Sequence, residues 1–231
     1  MITLAVLSAG STLHGLRPCA EAFMRMSGIT VTVATDHGHN IEADVRRGTA
    51  QADVVLLPAD MVAALTAEGL VAADGQGALG KVGIGAVARA GAPLPQVGTM
   101  DGLRGALQTA SSVLVTRAPT GEHMLRVIAQ LGLAEAVAAK LVQFDTATLL
   151  IKHLAAEGDA AALGFSPAAE ILVWRDRGVA FAGPLPDEIQ VALPYAAAML
   201  TRTRASESAL ALLGFLATPQ ARTRFHESGV V

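Results

Sequence analysis

A single cysteine, Cys19, leaves no partner for an internal disulfide. Packing and hydrogen bonds must hold the chain together, and one thiol says nothing about compartment. Cys19 falls in an apolar helical stretch, where a thiol acts as a small hydrophobe rather than a nucleophile. Aromatic residues supply only 3% of 231 positions, while hydrophobic residues reach 52%. The core is therefore alanine, valine and leucine, and a polar disordered chain is excluded. Charge of one sign is also lacking: the net charge is −3, and Lys and Arg are scattered. That excludes a nucleic-acid stripe and a basic amphipathic helix for a membrane surface. No apolar run reaches the roughly 20 residues of a membrane span, so no membrane insertion is expected. No charged segment followed by an apolar one precedes the first strand. The chain is cytoplasmic if Met1 is its native start, and periplasmic if a signal peptide was trimmed.

What is present begins with Leu4-Ala5-Val6-Leu7-Ser8-Ala9-Gly10-Ser11-Thr12. An apolar run ends in small residues and hydroxyls, and a helical pattern follows. Open α/β folds place ligands where a buried strand empties into such a turn. Backbone N–H groups are free at the next helix start, and Ser8 and Ser11 add donors. The plainer reading is that Ser11 or Thr12 only caps the helix. Pro18 predicts a helix beginning near Leu16, with residues 8–15 as loop.

Strand and helix then alternate. Strands are predicted at 2–7, 29–33 and 53–57, with helices ending near Arg47 and Glu68, which argues for a parallel sheet. Further strands are predicted at 81–89, 112–116, 141–144, 161–165, 179–182 and 192–200. Helices are expected at 100–109, from Pro119 to about Leu131, after Thr146, and at 206–216 and 219–228. A strand, a hydroxyl-rich turn and a helix recur at Ser8–Ser11, Thr35–Asn40, Thr116–Thr120, Asp145–Thr146 and Phe165–Ser166. Two similar α/β lobes facing one another would let several helix starts meet one anion. Each contributes about 0.3–1 kcal/mol when exposed. Polar turns at both ends of ordinary αβ units remain the generic alternative.

Four stretches carry a resemblance: residues 52–60 (ADVVLLPAD), Pro119-Thr120-Gly121, Gly183-Pro184-Leu185-Pro186-Asp187-Glu188, and Phe215-Leu216-Ala217-Thr218-Pro219-Gln220-Ala221. Through them nearly the whole chain resembles the type II periplasmic binding proteins, most closely the molybdate-binding receptors of ABC transporters. The resemblance implies an α/β, two-lobed fold with a ligand cleft between lobes joined by two crossover strands. Lobe 1 would be 1–82 plus 191–231 and lobe 2 would be 83–190, with hinge closure on the ligand. It also implies a monomer binding a small anion without a cofactor, and a permease partner if the chain is exported.

Carried over position by position, the resemblance puts a ligand hydroxyl at Ser11 and another near Gly38, between His37 and His39. It puts ligand N–H groups at Thr120 and at Ala147 beside Thr146, and a tyrosine position at Phe165. Two donors are thereby lost, at Gly38 and Phe165. An unmatched buried acceptor costs about 1–3 kcal/mol, which disfavours molybdate. Arg117 follows a strand and can meet a carboxylate with two parallel hydrogen bonds. That favours an organic di- or tricarboxylate. His37, His39 and Asp36 lack a third strong metal ligand, so no metal is expected. His123 stands three residues after Thr120 on the same helical face. Thr120-Gly121 lacks a hydrolase nucleophile pattern, and Gly83-Ile84-Gly85 does not open a helix as a dinucleotide motif would.

Two functions follow. One is an anion receptor delivering its ligand to a transporter. The other is a cytoplasmic isomerase of an unsaturated tricarboxylic acid, similar to aconitate isomerase. There Arg117, Ser11 and Thr120 would clamp carboxylates, and His37 or His39 would be the catalytic proton-transfer group.

Overall fold

In the computed structural model, which describes residues 3–156 and 159–230, the chain divides into two compact units: residues 1–82 with 193–231, and residues 83–192. Unit 1 opens with β1 (Thr3–Ala9), α1 (Gly10–Ser27), β2 (Thr30–Asp36), α2 (Gly38–Arg47), β3 (Val54–Pro58), α3 (Ala59–Ala67) and β4 (Val71–Val82). Unit 2 is β5 (Ile84–Arg89), α4 (Met100–Thr109), β6 (Val113–Thr116), α5 (Pro119–Gln130), α6 (Ala134–Ala138), β7 (Leu141–Phe144), α7 (Ala147–Ala156), β8 (Leu163–Pro167), α8 (Ala168–Trp174) and β9 (Val179–Pro184). The chain then returns to unit 1 for β10 (Leu193–Leu200), α9 (Ser206–Leu216) and α10 (Pro219–Glu227).

Each unit holds one five-stranded sheet, ordered β2-β1-β3-β10-β4 in unit 1 and β7-β6-β8-β5-β9 in unit 2. In both, the first three strands run parallel and the fourth is antiparallel to its neighbours. The αβ alternation dictates the parallel part, because each crossover helix returns the chain to the same edge direction. The carboxyl ends of β1 and β2 therefore lie side by side, Ala9 opposite Asp36. So do those of β6 and β7, Thr116 opposite Phe144.

Several polar groups fix these sheets. The Asp53 carboxylate accepts the Ala5 N–H (2.9 Å) and the Thr203 hydroxyl (2.6 Å). Its own N–H donates to the Ala5 carbonyl, and its carbonyl accepts from Leu200. One residue thus ties the starts of β1 and β3 to the end of β10. In unit 2 the Gln190 side chain accepts the Ile84 N–H (2.8 Å) and donates to the Ile84 carbonyl (2.9 Å). It completes the hydrogen bonding of the first residue of β5 as a neighbouring strand would.

Sequence and structure part at several elements. Pro18 does not delay the first helix to Leu16: α1 starts at Gly10 and carries Pro18 in its interior. An interior proline costs about 3 kcal/mol. Against it stands a buried face that includes Leu16, Cys19, Ala20 and Phe23, and a single large apolar side chain contributes about 1.5–3 kcal/mol on burial. Residues 81–89 are not one strand but break at Gly83 into β4 and β5. Most of β4 escapes prediction because Gly75, Gly77 and Gly80 interrupt its pattern. The short α6 and α8 also escape. β2 runs on to Asp36, so residues 34–36 are strand rather than loop. Position 2 of the predicted first strand lies outside the described residues.

Cys19 is fully buried. Burial pushes its thiol from 9.0 up to about 11, only partly opposed by the charge of Arg224. The folded pKa lies above the unfolded one, so the neutral thiol favours the fold below about pH 9, and that advantage fades as pH rises through about 11. Two units correspond to about a hundredfold less thiolate in the folded state. A disulfide reagent at pH 8 should leave Cys19 unmodified in the native protein and titrate one thiol per chain in guanidinium. Rapid native labelling would contradict the packing.

Candidate functional site

The sequence-predicted residues gather at the carboxyl ends of the parallel strands, one group in each unit. In unit 1, α1 begins immediately after β1. Its N-cap is Ala9, and no side chain caps it. Ser11 and Thr12 therefore do not have the plain capping role. The helix has no acidic residue in its first turn, so its starting N–H groups and partial positive charge are available to an anion. Ser11 is 7% exposed, and its hydroxyl has no hydrogen-bond partner among the described residues. Ser8 differs. It is fully buried; its hydroxyl donates to the Ala9 carbonyl and lies 2.9 Å from the Thr12 hydroxyl. Both contacts stay inside the turn, so Ser8 holds the turn's shape rather than offering a donor.

Beside this turn, β2 delivers His37, the N-cap of α2, in an extended conformation and again without a side-chain cap. The Asp36 carboxylate accepts the His37 N–H (2.7 Å) and the Asn40 amide (3.0 Å). Those bonds, Asn40 first, hold its carboxyl below the usual value. The α2 start therefore carries its own carboxylate, which opposes a second anion there. His37 is exposed. His39 projects outward, 82% exposed, with Nδ1 3.7 Å from Glu42. A Cβ on Gly38 would meet Met61 at 3.4 Å and Pro58 at 3.6 Å, so the position has room for a small side chain.

In unit 2, α5 begins with Pro119 at its first position and Ala118 as N-cap, with no side-chain cap. Thr120 is half-buried in this first turn. The helix sits hard against β6: a Cβ at Gly121 would lie 1.8 Å from the Thr116 carbonyl oxygen. Next to it, the Thr146 hydroxyl accepts the Leu149 N–H (3.2 Å) and caps α7. Thr146 is thus engaged as a cap, while Ala147, half-buried, opens the helix. Arg117 is not waiting for a ligand. Its guanidinium donates to Asp145 at 2.8 Å, both groups being exposed. Exposed pairs contribute only about 0.2–1 kcal/mol, so this pair can open for a stronger acceptor.

Two predicted positions lie elsewhere. Phe165 is fully buried within the core formed with Ile84, Val115 and Leu185; strand alternation turns it inward, so it does not stand where a ligand-facing tyrosine would. His123 Nε2 is 2.7 Å from the Ile189 carbonyl, a contact that anchors the loop before β10. Sequence reasoning missed Asp145 as a competitor for Arg117. It placed Thr116 and Ser166 in hydroxyl-rich turns without singling out their side chains, both buried at strand ends; alternation along β8 places Ser166 opposite in facing to Phe165 and could have done so. Among the described residues no three His, Cys, Asp or Glu side chains gather as a metal-binding group, and no helix is long and apolar enough to cross a membrane. A groove of about 420 Å³ in unit 2 is lined by such residues as Pro93, Leu94, Thr109 and Ala160. It contains no charged residue and lies away from these strand ends.

A family model described as bacterial extracellular solute-binding protein matches residues 4–231. The chain belongs to that family. Among solved structures, this solute-binding protein is similar to the periplasmic molybdate-binding protein of Azotobacter vinelandii, with a TM-score of 0.77 and 18% identity over 99% of this chain and 98% of that one. It is also similar to the sulfate-binding protein SubI of Mycobacterium tuberculosis, with a TM-score of 0.72 and 16% identity over 99% and 86%. The fold is that of the two-lobed periplasmic binding proteins, two mixed sheets with their helices. A curated relative, aconitate isomerase from a Pseudomonas species, is 29% identical over 235 residues, 99% of this chain and 87% of the relative.

The stretches behind the resemblance now have physical roles. Asp53 ties strands of unit 1. Thr218 caps α10 by accepting the Ala221 N–H at 3.3 Å, with Pro219 at the first helical position. Gly121 lets α5 start against β6. These are requirements of the fold rather than of one ligand. Gly121→Ala should displace the start of α5 at a cost of roughly 3 kcal/mol, the upper end for overpacking. Circular dichroism should show Tm lowered by several degrees; an unchanged Tm would contradict the close approach.

Proposed function

We propose that this solute-binding protein is the receptor of an ABC-type uptake system and that its ligand is a small oxygen-bearing anion. The candidates are an organic di- or tricarboxylate and an oxyanion such as molybdate. The reading is carried by α1 and α5, which open without side-chain caps at the carboxyl ends of parallel strands. Ser11 and Thr120 sit in their first turns. Orphan N–H groups and helix dipoles at such ends favour negative charge. The family membership and the molybdate- and sulfate-binding neighbours support the same reading. In that role its partner is the transporter's membrane permease.

Arg117 inclines the choice toward carboxylates, because a guanidinium forms two parallel hydrogen bonds with a carboxylate. It must first leave Asp145. Candidate ligand positions are Ser11 within unit 1 and Arg117, Thr120 and Ala147 within unit 2; the carboxylate of Asp36 at the α2 start counts against Gly38 and its neighbour His37.

A second reading rests on the aconitate isomerase relative and on His37, exposed beside the α1 turn. There the imidazole would take a proton from a carbon next to a carboxylate as the double bond shifts, and return it to another carbon. One general acid–base group suffices for that exchange.

A thermal-shift panel of molybdate, tungstate, sulfate, phosphate, citrate, and cis- and trans-aconitate separates these readings. An anion at a hundred times its Kd should stabilise by about 2.7 kcal/mol, or roughly 5–10 °C for a chain of this size. A shift with citrate or molybdate, without turnover of aconitate, supports the receptor. A shift with both aconitates, with cis–trans interconversion that His37→Ala abolishes, supports the isomerase. No shift with any anion overturns both.

A further inference from the structure

We propose that Thr116 and Ser166 form a hydroxyl pair that donates to an oxygen atom of the bound anion at the amino end of α7; this inference rests on the anion-binding reading above. Both side chains are buried, 2% and 0% exposed, and neither hydroxyl has a hydrogen-bond partner among the described residues. Buried polar atoms are nearly always paired, so two orphans together indicate a missing acceptor.

Their placement says where that acceptor sits. β6 and β8 run parallel with Val113 opposite Leu163 and Leu114 opposite Gly164. Continuing that register brings Thr116 opposite Ser166 at the strands' carboxyl ends. Alternation sends both side chains to the face that Leu114 and Gly164 share. That face is covered by α7: Leu114 packs in one core with Leu150, Ile151 and Leu154, and a Cβ on Gly164 would meet Leu150 at 2.8 Å. Two residues along a strand advance about 6–7 Å. One helical turn back from Leu150 is Thr146–Ala147. The two hydroxyls are therefore level with the first turn of α7, a helix of 10 residues.

Thr146 caps one N–H of that turn. The N–H groups of Ala147 and Thr148 precede the first intrahelical bond and lack a carbonyl partner within α7. Two hydroxyl donors level with a helix start would together make a socket for one oxygen of a carboxylate or tetrahedral oxyanion. In this way the chain replaces the donors that Gly38 and Phe165 lack. Ser166 stands one residue beyond Phe165, on the opposite face of β8.

Isothermal titration of the full chain with citrate, trans-aconitate and molybdate tests the pair in wild type, Thr116→Val, Ser166→Ala and Thr116→Ser. For whichever probe binds, Thr116→Val and Ser166→Ala should each weaken affinity about tenfold or more, the effect of one hydrogen bond to a charged group. Tm of the free protein should hold or rise, because an orphan hydroxyl is removed. Thr116→Ser should bind as wild type. Unchanged affinity in both hydroxyl-free variants would overturn the pair and leave the anion reading standing. Equal loss in Thr116→Ser and Thr116→Val would assign Thr116 a packing role and overturn the proposal. Wild type binding none of the three would overturn the anion reading and the pair with it.

Discussion

Unsatisfied backbone N–H groups at the first turns of α1 and α5 are the constraint on which the proposed anion-binding function depends. A helix start leaves four such groups without an internal partner, and in most helices a Ser, Thr, Asp or Asn side chain answers one of them. Here the N-cap positions are Ala9 and Ala118, which answer none. Thr99, Thr146 and Thr218 cap α4, α7 and α10, while α2, α3, α6, α8 and α9, like α1 and α5, start without a side-chain cap. What sets α1 and α5 apart is their place directly beyond the parallel strands β1 and β6, where α/β sheets receive ligands. The topology thus holds each unit together and also places these helix starts where an anion is proposed to bind.

The rigidity needed for such a site comes from contacts that carry no ligand chemistry. Asp53 stitches three strand ends in unit 1, and Gln190 completes the hydrogen bonding of Ile84 in unit 2. Ser8 spends its hydroxyl inside the turn after β1. Gly121 brings α5 against the backbone of Thr116. The residues that mark the family are largely of this kind. Such contacts serve the fold whatever the solute, which is why the family is plain from them while the ligand is not.

Much of the architecture was legible in the sequence. Apolar runs ending in hydroxyl-rich turns located β1, β6 and β7, and the helix starts after β6 and β7. Where reading failed, tertiary burial overrode a local rule. Pro18 sits inside α1 because the helix face around it is buried. β4 hid behind its glycines. Phe165 was read as a ligand position, but alternation along β8 turns it into the core and leaves Ser166 on the other face. The Arg117–Asp145 pair joins two turns 28 residues apart, and no spacing rule reports such a contact. Ser11 and Thr120 were legible because each lies at a helix start shortly after a strand; Thr116 and Ser166 were not singled out because their distinction is a lack of partners in three dimensions.

The most direct measurement is an amide NMR titration of the nitrogen-labelled protein with the anion that raises Tm most, following residues 10–12 and 120. If uncapped helix starts hold the ligand, these amide protons should show the largest downfield shifts, as each gains a charged acceptor. Amides of Gly10–Thr12 and Thr120 that stay unmoved at saturation, with perturbation confined to other segments, would contradict the account.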